Sequence, residues 1–284
     1  MNNILVTGGN GQLGSELKEL ASNFPEYDFL VTDVFDLDIR AHDEVRKFIV
    51  RNNINVIINC AAYTAVDKAE SEPELSDAIN HLAVANFAQI AKEYSIKLIH
   101  ISTDYVFDGT SFKPYTETDT PNPKSVYGKT KLDGELSMQK INPANSIIIR
   151  TSWLYSKFGN NFVKIILSLA DNRKEISVVS DQIGSPTNAA DLALAIITIL
   201  PKIKNKDVEL YHYSNEGVCS WYDFAKAIFK IKKINIKIVN VLSKEYSTSS
   251  KRPSFSALDK SKIKNKFKIS IKNWKNSIRY MLNE

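Results

Sequence analysis

The sequence predicts an α/β protein, a doubly wound parallel sheet with a smaller mixed α/β lobe. Two observations carry that expectation. Short apolar runs rich in Val and Ile alternate with helix-length segments through the first 150 residues, and such brief continuous runs suit strands buried on both faces. Four of the chain's ten glycines then crowd into residues 8–14, directly after the first run, where a strand would turn into a helix.

Residues 4–7, 29–32, 56–60, 98–102 and 147–150 are the expected strands. Residues 11–22 and 41–52 follow the first two as helices. Residues 75–95 follow the third, with Ile79, Leu82, Ala83, Phe87, Ile90 and Ala91 spaced as a helical stripe. Strand–helix–strand alternation implies right-handed crossovers. Past residue 151 the pattern loosens. Residues 162–170, 189–200 and 221–230 read as helices, and 176–179 and 236–241 as short strands, with Pro186, Pro201 and Pro253 as punctuation. No Gly/Ser linker separates the two regions. The expected division is a dinucleotide-binding domain over 1–150, with contributions from later segments, and a mainly substrate-binding lobe over 151–284.

Composition narrows the class. At 284 residues, 43% apolar and 24% charged, the chain resembles ordinary globular proteins. No window approaches the roughly 18 uninterrupted apolar residues of a membrane helix, and the N-terminus lacks the charged start and apolar length of a signal peptide. Cys60 and Cys219 alone make neither a disulfide framework nor a four-ligand zinc site. A cytoplasmic protein with reduced thiols is expected. The net charge of +5 conceals an asymmetry: residues 201–284 carry 19 Lys and Arg against 7 Asp and Glu. Those lysines are interleaved with apolar residues, as in Ile234-Asn235-Ile236-Lys237, which reads as solvated faces rather than a nucleic-acid surface.

Gly8, Gly11 and Gly14 have the spacing of a phosphate-binding turn. Glycine there permits the turn and lets backbone N–H groups approach a pyrophosphate at a helix N-terminus. With Asn10, Gln12 and Leu13 they form the expected coenzyme loop of a Rossmann-like sheet. Asp33 follows the second strand, nineteen residues after Gly14, where an acid holds ribose hydroxyls and leans toward NADH. Asp38 and Ile39 are placed near the adenine. Ala61, Ala62 and Tyr63 follow the third strand, where small residues admit the coenzyme.

Tyr127 and Lys131 stand four apart and so share one helix face. A neighbouring ammonium is expected to lower the phenol's pKa and make it a proton-transfer group at neutral pH. The spacing recurs by chance, as Tyr222 and Lys226 show. The first pair is singled out by Thr103, a hydroxyl at the end of the fourth strand, able to hold a substrate carbonyl. Ser102 beside it reads as structural, with the exchange of the two hydroxyls' roles as the alternative.

Glycine loop, strand-end Thr and Tyr-x-x-x-Lys in this order resemble the extended short-chain dehydrogenase/reductases. The stretches Ser102-Thr103-Asp104-Tyr105-Val106-Phe107, Val126-Tyr127-Gly128-Lys129-Thr130-Lys131 and Arg150-Thr151-Ser152-Trp153 narrow the resemblance to the dTDP-4-dehydrorhamnose reductase family. So do Ala65-Val66-Asp67-Lys68-Ala69-Glu70, Gly159-Asn160-Asn161-Phe162 and Asp181-Gln182-Ile183-Gly184-Ser185-Pro186-Thr187. That resemblance implies reduction of a nucleotide-sugar C4 ketone by NADPH or NADH, with Thr103, Tyr127 and Lys131 catalytic and the last two also touching coenzyme. It implies Thr64, Thr103, Asp104, Tyr105, Trp153, Asn161, Gln182 and Arg252 on the substrate side, although Arg252 sits in Lys-Arg-Pro where the family usually shows Ser-Arg-Pro. Some members form homodimers around magnesium held by acids. Here Glu16 matches one such position, residues 188–191 do not clearly supply the rest, and no metal is predicted.

Two kinds of rival follow from the same residues, another enzyme of the superfamily and a non-catalytic protein. A dehydratase of this superfamily would place Asp-Glu after the threonine, whereas Asp104 precedes Tyr105. An epimerase would keep its coenzyme bound. A non-catalytic coenzyme-binding subunit could keep the glycine loop without the acid–base residues.

Overall fold

The computed structural model describes residues 2–245 and 249–283. Its centre is a sheet of six parallel strands: β1 (Asn2–Thr7), β2 (Tyr27–Val31), β3 (Ile54–Asn59), β4 (Lys97–Thr103), β5 (Ile147–Thr151) and β6 (Glu209–His212), in the order β6-β5-β4-β3-β1-β2. The chain starts mid-sheet, moves out to β2, then returns to lay β3 on the other side of β1. That reversal opens a crevice at the carboxyl ends of β1 and β3, where open α/β sheets bind ligands.

Alternation along the strands supplies a core for each face. Leu5, Ile57, Leu98 and Ile148 pack with Val45 and Ile49 of helix α2 (His42–Arg51), Phe87 of α3 (Ala83–Glu93) and Met138 of α4 (Val126–Ile141). Ile4, Val6, Ile58, Ile99 and Ile149 meet Leu13 and Leu17 of α1 (Gln12–Leu20) and Leu192 and Ile196 of α5 (Ala189–Ile199). Each such side chain contributes about 1.5–3 kcal/mol of burial, and both faces are covered.

Three elements depart from the sequence reading. The expected helix over 75–95 is broken: Pro73–Asp77 is one short helix, Ala78–Leu82 is a π-turn and only then does α3 begin. Helix α5 lies past residue 151 yet packs on the sheet, beside α1. Strand β6 was not expected. It is a sheet edge, so Glu209-Leu210-Tyr211-His212 mixes polar and apolar residues and lacks the apolar run that betrays a central strand.

The lobe pairs Glu175–Val179 with Lys237–Val241 in parallel, under helices Phe162–Asn172 and Trp221–Lys232. Its core gathers Tyr155, Val163, Ile166, Val178, Phe224 and Trp274. Many of the C-terminal lysines are paired with acids: Lys260 and Lys264 with Glu216, Lys272 with Asp191, Lys237 with Glu175. Among the described residues no helix is long and apolar enough to cross a membrane.

Candidate active site

A cleft of about 780 Å³ runs along the carboxyl ends of the strands, from β2 across the sheet to β5. Its coenzyme side begins at the glycine loop. Gly8 has φ +68°, and a Cβ there would lie 2.8 Å from the Ala61 backbone; a Cβ on Gly14 would lie 2.2 Å from the Gly8 oxygen. Only glycine lets the loops after β1 and β3 and the first turn of α1 close on one another this tightly. The cap residue of α1, Gly11, provides no side-chain cap, which leaves the first-turn N–H groups turned to the cleft for an anion. Asn10, Gly11, Gln12, Leu13 and Gly14 all line it.

Asp33 also lines the cleft, and both its oxygens are engaged by backbone, Oδ2 accepting from Asn10 N and Oδ1 from Val34 N, at 2.8 Å each. Asp38 and Ile39 follow, joined by Arg40, whose guanidinium binds Asp38 at 2.6 Å. The sequence reading passed over Arg40. An arginine at the adenosine end accommodates a ribose 2′-phosphate, and its closeness to Asp38 in sequence was the available signal.

Ala61, Ala62 and Thr64 line the middle of the cleft, but Tyr63 does not. Its N–H donates to Asn80 Oδ1 at 2.9 Å, its carbonyl accepts from Asn80 Nδ2 at 3.1 Å, and its hydroxyl is drawn to Glu72. Asn80 is fully buried within the π-turn and also reaches Ser76 and Thr130. The wider π-turn carries Asn80 against the Tyr63 backbone, between the cleft-lining Ala62 and Thr64, and π-bulges are common at functional sites. No periodicity in the sequence announces it.

The opposite end of the cleft is built by β4, the turn Asp104–Val106 and the start of α4. Thr103 ends β4; its Oγ1 accepts from Tyr105 N and donates to Asp104 Oδ1, both at 3.2 Å. Ser125 caps α4 by accepting from Gly128 N, which sets Tyr127 and Lys131 on successive turns of one face. Gly128 has no room for a Cβ, which would sit 2.2 Å from the Tyr105 oxygen. Helix and turn are therefore pressed together, and the Tyr105 and Tyr127 rings meet edge to face at 5.5 Å. Thr103, Asp104, Tyr105, Tyr127 and Lys131 all face the cleft.

Burial dominates the electrostatics here. It pushes the Tyr127 phenol up to about 12, with Asp104 adding to the rise and the Thr103 hydroxyl opposing it. The expected lowering by Lys131 is not found. Burial holds the lysine down to about 8, opposed by Glu135 and Cys60, and Nζ is directed at the Ile101 carbonyl, 2.6 Å away. The structure thus corrects the sequence reading: burial outweighs the neighbouring lysine, and the phenol stays protonated at neutral pH. Burial raises Asp104 to about 7 against the hydroxyls of Ser256 and Thr103.

Trp153 lines the cleft from the lobe side with φ +48°, stacked on Trp221 at 3.6 Å. Three expected substrate residues stand outside the lining. Asn161 is 6% exposed and caps the helix Phe162–Asn172, with Nδ2 donating to Ser156 and Phe158 carbonyls. Gln182 donates to Ser243 Oγ at 3.0 Å. Arg252 pairs with Asp67 at 3.0 Å, close enough to Tyr105 to bear on its hydroxyl. Glu16 is buried and accepts from Ser156; no group of three or more metal-binding side chains occurs among the described residues. Tyr222 and Lys226 lie in the lobe, with the ammonium 5.2 Å over the ring.

A second buried network lies behind the site. Ser102 donates to Glu135, which binds Arg150 through both oxygens, and Arg150 lies over the Phe107 ring. Ser102 lines the cleft beside Thr103, but its hydroxyl is engaged by this network.

A family model described as the RmlD substrate binding domain matches residues 1–284. The dTDP-4-dehydrorhamnose reductase of Aggregatibacter actinomycetemcomitans is 42% identical, covering 98% of each chain. The crystal structure of a dTDP-4-dehydrorhamnose reductase from Clostridium acetobutylicum superposes with a TM-score of 0.93 at 40% identity, over 99% of this chain and 98% of that one. A Bacillus anthracis dTDP-4-dehydrorhamnose reductase in complex with NADP gives 0.94 at 37% identity, over 100% and 99%. By sequence and by fold, the chain belongs to the dTDP-4-dehydrorhamnose reductase family.

Proposed function

We propose that this chain reduces the C4 ketone of dTDP-4-dehydro-L-rhamnose to dTDP-L-rhamnose, a nucleotide sugar for cell-surface polysaccharide. The observation that carries the reading is the convergence of Thr103, Tyr127 and Lys131 at one end of a cleft whose other end is a phosphate-binding glycine loop. The loop suits a dinucleotide on its own geometry, because the positions of Gly8 and Gly14 leave no room for a side chain and the α1 N–H groups are uncapped. NADPH or NADH, when bound there, supplies the hydride.

The protein's own groups handle the proton and the position. Thr103 offers its hydroxyl to the ketone oxygen, and Tyr127 gives its proton to the alkoxide that develops. Lys131, as an ammonium, stabilises the phenolate left behind and holds the nicotinamide ribose. Trp153, held by Trp221, forms a wall for the sugar with Thr64, Asp104 and Tyr105. Arg252 and Gln182, at the rim, are assigned to the diphosphate and nucleotide, and Asn161 to shaping the loop before its helix. Residues 1–150 with α5 and β6 serve the coenzyme, and most of 151–284 serves the substrate. A cytoplasmic enzyme is proposed, active without bound metal and, like some members of the family, a homodimer.

Purified protein given dTDP-4-dehydro-L-rhamnose should oxidise NADPH or NADH and yield dTDP-L-rhamnose on chromatography. Coenzyme binding without oxidation on this substrate would overturn the assignment.

A further inference from the structure

Lys131 is held from behind by a buried chain of side chains that its catalytic role does not account for. Thr7 ends β1, Asn59 ends β3 and His100 lies within β4, so three neighbouring strands line them up toward the lysine on α4. Thr7, Asn59 and Lys131 are each 1% exposed, and His100 is 0% exposed. Thr7 Oγ1 donates to Asn59 Oδ1 at 2.7 Å, Asn59 Nδ2 is turned to His100 Nδ1 at 3.1 Å, and His100 Nε2 is 3.3 Å from Lys131 Nζ. Nζ also donates to the Ile101 carbonyl.

Hydrogen-bond accounting fixes the protons. An ammonium has only donors, so the imidazole nitrogen it meets must be the accepting one. His100 is neutral, because burial and then the lysine's charge keep it well below its ordinary value. Its one proton is therefore on Nδ1, facing Asn59. The Asn59 amide must present its oxygen to that proton and its nitrogen to Thr7, a half-turn that leaves the amide's shape unchanged. Deprotonating Lys131 would allow the opposite polarity throughout the chain.

We infer that His100 is a positioning residue for the catalytic lysine: neutral and protonated on Nδ1, it accepts from Lys131 through Nε2, while Asn59 and Thr7 fix that tautomer. The inference rests on the proposed role of Lys131. The other groups bearing on the ammonium are Glu135, a turn further along α4, and Cys60 after β3. Glu135 is itself tied to Arg150 on β5.

Nitrogen NMR on the full-length protein labelled in its four histidines, assigned with His100→Gln, reads the tautomer directly. At pH 7 the protonated nitrogen should be Nδ1 and the bare one Nε2; a proton on Nε2 would overturn the inference. Removing the acceptor in His100→Phe disfavours the ammonium. The alkaline limb of the turnover profile should then move down by about one pH unit, the effect of one charge-assisted hydrogen bond. At about pH 9, above both limbs, turnover should fall roughly ten-fold, with the coenzyme KM changed by less than about three-fold. In His100→Gln the side-chain oxygen accepts near the position of Nε2, and the limb should return toward wild type. An unmoved limb in His100→Phe, or a glutamine variant no nearer wild type than phenylalanine, contradicts the role. Lys131→Met separates the two readings: near-normal turnover there would remove the lysine's catalytic role, whereas its loss beside an unmoved His100→Phe limb would remove only that of His100.

Discussion

Tyr127 and Asp104 show at single residues how burial sets the chemistry. A phenol held up near 12 and a lysine held down near 8 suit the proposed donation of a proton to an alkoxide, since the phenol is protonated at neutral pH. Tyr127→Phe should therefore lower turnover by about 10²–10⁴-fold while coenzyme affinity, measured by fluorescence titration, changes little; near-normal turnover would remove Tyr127 as the donor. For the free enzyme, kcat/KM should fall as pH rises through about 8, where Lys131 loses its charge. Asp104 makes a separate prediction. Its folded value, about 7, lies above the ordinary 3.8, so the folded state prefers the protonated acid. The stability this preference confers is complete below pH 3.8 and is lost as pH rises through 7. Asp104→Asn should accordingly raise stability at pH 8 by on the order of 4 kcal/mol and leave it nearly unchanged at pH 3.5, as thermal melts at the two values would show.

Helix α4 is the element on which the site depends, because its first two turns carry both Tyr127 and Lys131. Ser125 starts it, and Ser125→Ala should cost about 1 kcal/mol of stability. Loosening the turn that aims Tyr127 should also lower turnover more than it raises either KM, which steady-state kinetics would resolve. The central strands, glycine loop and Tyr-Lys face were legible in the sequence because each rests on a local pattern: a continuous apolar run, a glycine spacing, an i, i+4 pair. The π-turn that aims Asn80 was not legible, since a one-residue widening leaves the helical stripe almost intact. Strand β6 escaped because an edge strand needs no apolar run. The tyrosine's pKa was misjudged for a related reason: sequence proximity to a lysine was visible, but the burial that outweighs it and the carbonyl that diverts the ammonium arise only on folding.

Across the whole molecule, the chain is not two beads on a string. Helix α5 and strand β6 return from beyond residue 151 to complete the sheet, and Ser261–Phe267 adds Ile263 and Phe267 to the same core. Unfolding should therefore be a single cooperative transition by calorimetry, raised by about 2.7 kcal/mol when NADPH is present at a hundred times its Kd. Two resolved transitions would contradict that interleaving. The cleft spans the product of this arrangement, with glycine loop and Arg40 at one end and Thr103, Tyr127 and Trp153 at the other. Replacing Arg40 with Ala should raise the KM for NADPH about ten-fold, the loss of one charged hydrogen bond, and leave that for NADH nearly unchanged. The central claim is that this cleft delivers hydride to C4 of a nucleotide keto-sugar. Coenzyme deuterated at the transferable position, turned over with dTDP-4-dehydro-L-rhamnose, tests it most directly. One deuterium at C4 of dTDP-L-rhamnose is the predicted result, and product without deuterium, or with it at another carbon, would contradict the account.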